Sequence, residues 1–156
     1  MSAFILSTLV YLSMFSSPGA SISPDNLNWL GNLEEAQRIA QEREQSILLV
    51  FSGSDWCRPC MKLDKELFST SAFETYAQEH FVLVKADFPR SKKHRLPKEQ
   101  QSYNAQLADQ YNPGGNFPFL LVLSQAGEVI DQTGYLNDDP DSYFQHWSSI
   151  SDSLSP

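Results

Sequence analysis

The sequence predicts a single α/β domain, and three observations carry that expectation. Segments of helical periodicity alternate with short apolar runs of strand character, two such runs near the end are separated by a turn, and the final segment is helical again. With 156 residues, 41% hydrophobic and 12% aromatic, the chain has enough apolar material for one substantial core and not for two.

Residues 28–30 read as a brief strand after a linker through Pro24. Asn32 with Glu35 three positions on is a helix start with a reciprocal cap, and that helix runs to about Glu44. Leu33, Ala36, Ile39 and Ala40 share its apolar face, while Glu34, Arg38, Glu42 and Arg43 take the remainder. Residues 47–51 form a buried central strand, which Ser52-Gly53-Ser54-Asp55 breaks. A helix from Cys57 to about Leu67 follows, with Met61, Leu63, Leu67 and Phe68 as its core contacts. Ser71 with Glu74 is a second capping pattern, opening a helix to about Glu79 that His80 ends. Residues 81–87 are the next strand, and Pro97 begins a helix carrying Tyr103, Leu107 and Tyr111 at four-residue spacing. Residues 119–123 and 128–132, separated by Ser124-Gln125-Ala126-Gly127, predict an antiparallel hairpin. Asp139-Pro140 starts the last helix, with Tyr143, Trp147, Ile150 and Leu154 along one side.

The chemistry concentrates at Cys57-Arg58-Pro59-Cys60, preceded by Trp56, where a strand hands over to a helix. A helix N-terminus presents unpaired N–H groups and partial positive charge, so the Cys57 thiol there ionises more readily than a free cysteine. The thiolate is the attacking species, and Cys60 is placed to reach back and close an intramolecular disulfide. Pro59 suits the first helical turn, where its missing N–H costs little. A zinc site needs four ligands, whereas the chain offers two cysteines plus His80, His94 and His146 without partner spacing, so no metal is expected. Covalent haem attachment needs a histidine after the second cysteine, and that position is Met61. A structural disulfide stays open, although so short a loop constrains the unfolded chain little.

A formal charge of -8 and a pI near 4.7 disfavour nucleic-acid binding and point to protein partners. A monomer is expected. Residues 1–22 carry no charged side chain, and a mostly apolar stretch is followed by Ser16-Ser17-Pro18-Gly19-Ala20-Ser21. That is the pattern of a signal peptide or N-terminal membrane anchor, leaving residues 23–156 as the domain and implying a periplasmic or secreted protein. In an oxidising compartment, a chain with one cysteine pair uses it for exchange.

The order of elements, together with Trp56-Cys57-Arg58-Pro59-Cys60 and the Phe117-Pro118 step before a strand, resembles the thioredoxin superfamily over about residues 28–154. It is most similar to exported bacterial thioredoxin-like thiol–disulfide oxidoreductases with a Gly-Ser-Asp-Trp-Cys segment and an Asp-Phe-Pro step. Here these are residues 53–57 and Asp87-Phe88-Pro89. The resemblance implies a thioredoxin fold, a central mixed β-sheet flanked by helices. It further implies Cys57 as nucleophile, Cys60 as resolving thiol, and a cis Pro118 facing them, with Phe117 offering backbone groups to an extended substrate. The substrates implied are protein thiols and disulfides, with an upstream electron donor or acceptor protein and no bound cofactor. The Arg-Pro dipeptide resembles reductase-type sites, which favours the reductant direction.

Trp56 shapes the surface around Cys57, and Arg58 places a cation beside the thiolate, which favours the reduced state. The superfamily's buried acid corresponds to Phe51 here, so the proton acceptor is unassigned among Asp55, Lys85 and Asp87. Asn112-Pro113-Gly114-Gly115-Asn116 reads as a flexible approach to the site. Arg90, Lys92, Lys93, Arg95 and Lys98 form a basic run that is either a solvated loop or a guide for an acidic partner. Two other functions remain open at this point. One is a non-catalytic protein-binding module with an inert disulfide, and the other is metal delivery, for which Met61 alone is poor support.

Overall fold

Five strands join in one sheet, ordered β1-β3-β2-β4-β5, in the computed structural model, which describes residues 27–136 and 139–154. The expected signal peptide or anchor lies outside the described residues. β1 (Trp29–Leu30), β2 (Ser46–Ser52) and β3 (Phe81–Asp87) run parallel, whereas β4 (Phe119–Leu123) pairs antiparallel with β2 and with β5 (Val129–Thr133). The sheet is therefore mixed, and β2, with its uninterrupted apolar run 47–51, lies in its centre.

Because strand side chains alternate, β2 feeds two cores. Leu48 and Val50 join Leu83, Leu120, Val122, Phe73 and Trp147 on one face. Ile47, Leu49 and Phe51 join Val82, Val84, Leu121 and Leu107 on the other. Residues 47–51 are all at most 1% exposed, which is why their sequence is apolar without interruption.

α1 (Leu33–Arg43) starts at Asn32, whose Oδ1 accepts from Glu35 N at 2.7 Å, and ends at Glu44 in the left-handed region. Leu33, Ala36 and Ala40 are buried as its periodicity predicts. α3 (Ser71–His80) is capped one residue earlier than expected. Thr70 Oγ1 accepts from Phe73 N at 3.2 Å and donates to Leu67 O, while Ser71 O is taken by the Thr75 hydroxyl. Two adjacent hydroxyl residues made either register possible, and the closing turn of the preceding helix selects Thr70. α4 (Lys98–Tyr111) begins directly after Pro97.

The helix after Cys57 departs further from expectation. α2 spans only Arg58–Leu63, and a π-helical turn, Asp64–Phe68, continues it, with Ser69 N donating to Asp64 O. The wider turn brings consecutive Leu67 and Phe68 both into the core. Met61, expected there, is 42% exposed: α2 buries Cys60 and Leu63, three apart, and Met61 falls off that stripe. In α5 (Pro140–Leu154), Trp147 packs against Phe73, Phe81 and Tyr143. The side chain of Leu154 lies outside the described residues.

Candidate active site

The last residues of β2 run into a tight turn whose hydrogen bonds set the position of Cys57. Gly53 O accepts from Trp56 N at 3.2 Å and from Cys57 N at 2.9 Å. Ser54 is pinned to the end of β3, its N and Oγ both donating to the Asp87 carboxylate. Cys57 is then the N-cap of α2, with Pro59 in the first turn, and its Sγ accepts from Cys60 N at 3.3 Å. Cys57 and Cys60 form a disulfide with Cα atoms 5.2 Å apart. Both are buried, Cys57 at 5% and Cys60 at 3% exposure, while Arg58 and Pro59 between them are exposed. An N–H donor so directed is of the kind that stabilises a thiolate.

Trp56 is half-buried and held on three sides. Its Nε1 donates to Phe88 O at 2.7 Å, its ring meets Phe117 edge-on with centroids 5.3 Å apart, and the Arg90 guanidinium lies 3.8 Å above the ring centre. Phe117 also packs edge-on against Phe88 at 5.5 Å. The Phe117–Pro118 peptide is cis, in keeping with the resemblance. The aromatic contacts tie the loop before β4 to the turn that carries the cysteines.

The residues considered as proton acceptors are each committed elsewhere. Phe51, where the superfamily carries an acid, is fully buried among aromatic neighbours Phe88 and Phe119. Lys85 pairs with Asp64 at 2.9 Å and lies over Trp29. Asp87 serves Ser54. Asp55 accepts from Arg90 N at 2.9 Å and Ser91 N at 2.8 Å, and approaches His94 Nδ1 at 3.4 Å. The Arg90 N–H, more than the other contacts, holds the Asp55 carboxyl below its usual range. His146 pairs with Asp131 at 2.8 Å, and the His80 ring lies tilted against Tyr76 with centroids 4.3 Å apart.

Two loops are more ordered than their composition suggests. In 112–116, buried Asn112 donates to Asn116 O and accepts from Asn116 N, and Gly115 N closes onto Asn112 O. The asparagine pair replaces the slack expected of Gly114-Gly115. The basic segment, in turn, is docked onto the site through Asp55 and Trp56. No spacing in the sequence signals that contact, because its partners lie 35 and 36 residues apart.

The mixed sheet, the cis-proline loop and a closed cysteine pair at a helix start define the class: a thioredoxin-like protein with a redox-capable dithiol. The chain belongs to the thioredoxin-like family, whose family model matches residues 28–124. Among curated relatives, it is 33% identical over 114 residues to the disulfide bond reductase DsbH of Chlamydia pneumoniae. It is 30% identical over 119 residues to the thioredoxin-related protein DsbJ of the same organism. These matches cover 73% and 76% of this chain but just under two thirds (66%) of DsbH and 33% of DsbJ. A solved structure of a DsbH oxidoreductase superposes with a TM-score of 0.74 at 27% identity, covering 99% of this chain and 96% of that one. A disulphide isomerase from Xylella fastidiosa Temecula1 shares the fold, with a TM-score of 0.57 at 20% identity over 76% of this chain and 88% of that one. No helix among the described residues is long and apolar enough to cross a membrane.

Proposed function

We propose that this chain is a protein-disulfide oxidoreductase acting outside the cytoplasm as a reductant. The observation that carries the reading is the Cys57–Cys60 disulfide at the start of α2, with Cys60 N–H already directed at the Cys57 sulfur. An upstream donor protein first supplies two electrons and two protons to open this bridge. The Cys57 thiolate then attacks one sulfur of a substrate disulfide, forming a mixed disulfide and releasing the other substrate sulfur as a thiolate, which takes a proton. Cys60 loses its proton and attacks Cys57 Sγ, freeing the second substrate thiol and restoring the Cys57–Cys60 bridge. The substrate ends reduced by two electrons and the pair oxidised by two.

In this reading Trp56, Arg58, Phe117 and Pro118 bind the substrate around the pair. Trp56 and Phe117 form one aromatic surface at the residue before Cys57, and exposed Arg58 and Met61 each follow one of the two cysteines in sequence. The reductant direction draws on the Arg58-Pro59 dipeptide and on the reductase name of the Chlamydia relative. Export draws on the uncharged, apolar character of residues 1–22. A monomer suffices, since both sulfurs come from one chain.

Insulin reduction by dithiothreitol tests the activity: the protein accelerates precipitation, Cys57→Ser does not, and Cys60→Ala accumulates a mixed disulfide visible on non-reducing gels. Equal rates with and without protein would leave only a binding module. Equilibration with glutathione tests direction. A potential near thioredoxin's, about −270 mV, fits a reductant, and one near DsbA's, about −120 mV, reverses the assignment.

A further inference from the structure

A groove of about 310 Å³ opens beside the dithiol turn, bounded by the 88–96 segment and the start of α4. Its lining includes Arg90 and Arg95, the apolar side chains of Phe88 and Leu96, and Gln101. The walls are tied down: Gln101 Nε2 donates to Leu96 O at 2.6 Å, and Asp55 holds Arg90 N and Ser91 N. Asp87 also lines it, but its carboxylate is occupied by both donors of Ser54. Arg90, Lys92, Lys93 and Arg95 are all exposed, and none is paired with a carboxylate among the described residues. Arg90 connects this groove to the site, since its guanidinium covers Trp56, the residue before Cys57.

We propose that this groove is a docking site for an acidic segment of the disulfide-bearing substrate protein, with an Asp or Glu carboxylate received by Arg90 and Arg95. The assignment rests on the oxidoreductase reading above and names its substrate class. Guanidinium groups match a carboxylate in planar, paired hydrogen bonds, and Phe88 and Leu96 accept the apolar stem of the same side chain. Overall charge sharpens the orientation. A chain of formal charge -8 repels an acidic partner over most of its surface, so approach is favoured at the basic loop, against the Trp56 that precedes Cys57.

The test uses three cystine-bridged peptides identical except for a flanking run of four Glu, four Gln or four Lys. With the reduced wild-type protein at low ionic strength, the Glu peptide is reduced about tenfold faster than the Gln peptide and the Lys peptide more slowly, and the differences shrink as salt is added. In Arg95→Gln the Glu-to-Gln ratio falls to within about a factor of two, and Arg95→Lys restores part of it. Equal rates for the Glu and Gln peptides, or an Arg95→Gln protein that keeps the wild-type ratio, would overturn the docking site. Fluorescence anisotropy with a labelled, cysteine-free Glu peptide reads docking apart from chemistry. Binding that Arg95→Gln weakens, without turnover of any peptide, would support the groove and sink the reductase reading. Sedimentation with anionic phospholipid vesicles, without preference for the Glu peptide, would assign the loop to a membrane surface and overturn the proposal.

Discussion

The ring of Trp56 occupies the space that a side chain on Gly53 would need: a Cβ built there would lie 2.4 Å from the indole. The contact is made inside the turn that delivers Cys57, since Gly53 O accepts from both Trp56 N and Cys57 N. Gly53→Ala must therefore displace a ring that is held by Phe88 O, Phe117 and Arg90. We expect a loss of about 1–3 kcal/mol in unfolding free energy, as for other overpacked sites. Insulin reduction should fall with it, and Trp fluorescence should change in the folded protein. Unchanged melting and fluorescence would show that the turn relaxes without moving Trp56.

That pair also shows how far the sequence could be read. Gly53, Trp56 and the cysteines are neighbours in the chain, and the strand-to-helix handover that positions them follows from local patterning. The five strands were legible for the same reason: residues 47–51 are apolar because both faces of β2 are covered, and the hairpin is marked by its turn. What could not be read was nonlocal. Asp55 reads in the sequence as a candidate proton acceptor, yet it fastens a segment 35 residues away. Met61 looked like core until the short α2 and the π turn after it fixed which stripe faces inward. Hydrogen bonds across loops depend on where the fold brings the backbone, and periodicity carries no record of that.

Arg58 stands next to the proposed nucleophile, is exposed, and has no carboxylate partner among the described residues. Its charge acts on the Cys57 thiolate through solvent, which limits its effect. Arg58→Gly should raise the ionisation midpoint of the reduced Cys57 thiol by a fraction of a pH unit and lower the potential of the pair correspondingly. Thiolate absorbance of the reduced protein against pH measures the first and glutathione equilibration the second. Superimposable titrations of the two proteins would remove Arg58 from the mechanism.

Tyr103 links α4 to the start of α1: its hydroxyl accepts from Leu33 N at 2.7 Å and donates to Glu34 Oε2. Burial first, then the bond to Glu34, raises its phenol from 10.0 to about 12, and burial also raises Tyr111 and Tyr143. The sign of the consequence follows from linkage. A phenol whose native pKa is raised contributes fully to stability below the unfolded value of about 10. Above that pH the unfolded chain sheds a proton that the native state keeps, so the contribution declines until the native phenol ionises near 12. Tyrosinate absorbance should therefore rise late, with Tyr103, Tyr111 and Tyr143 titrating after an ordinary phenol and Tyr103 near 12. Tyr103→Phe leaves Leu33 N without its acceptor and should cost about 1–2 kcal/mol at neutral pH. It should also lessen the loss of stability between pH 10 and 12, because Tyr103 no longer contributes while Tyr111 and Tyr143 still do. A single tyrosine wave near pH 10, with the same alkaline slope in both proteins, would show that the α1–α4 contact opens before the phenol ionises.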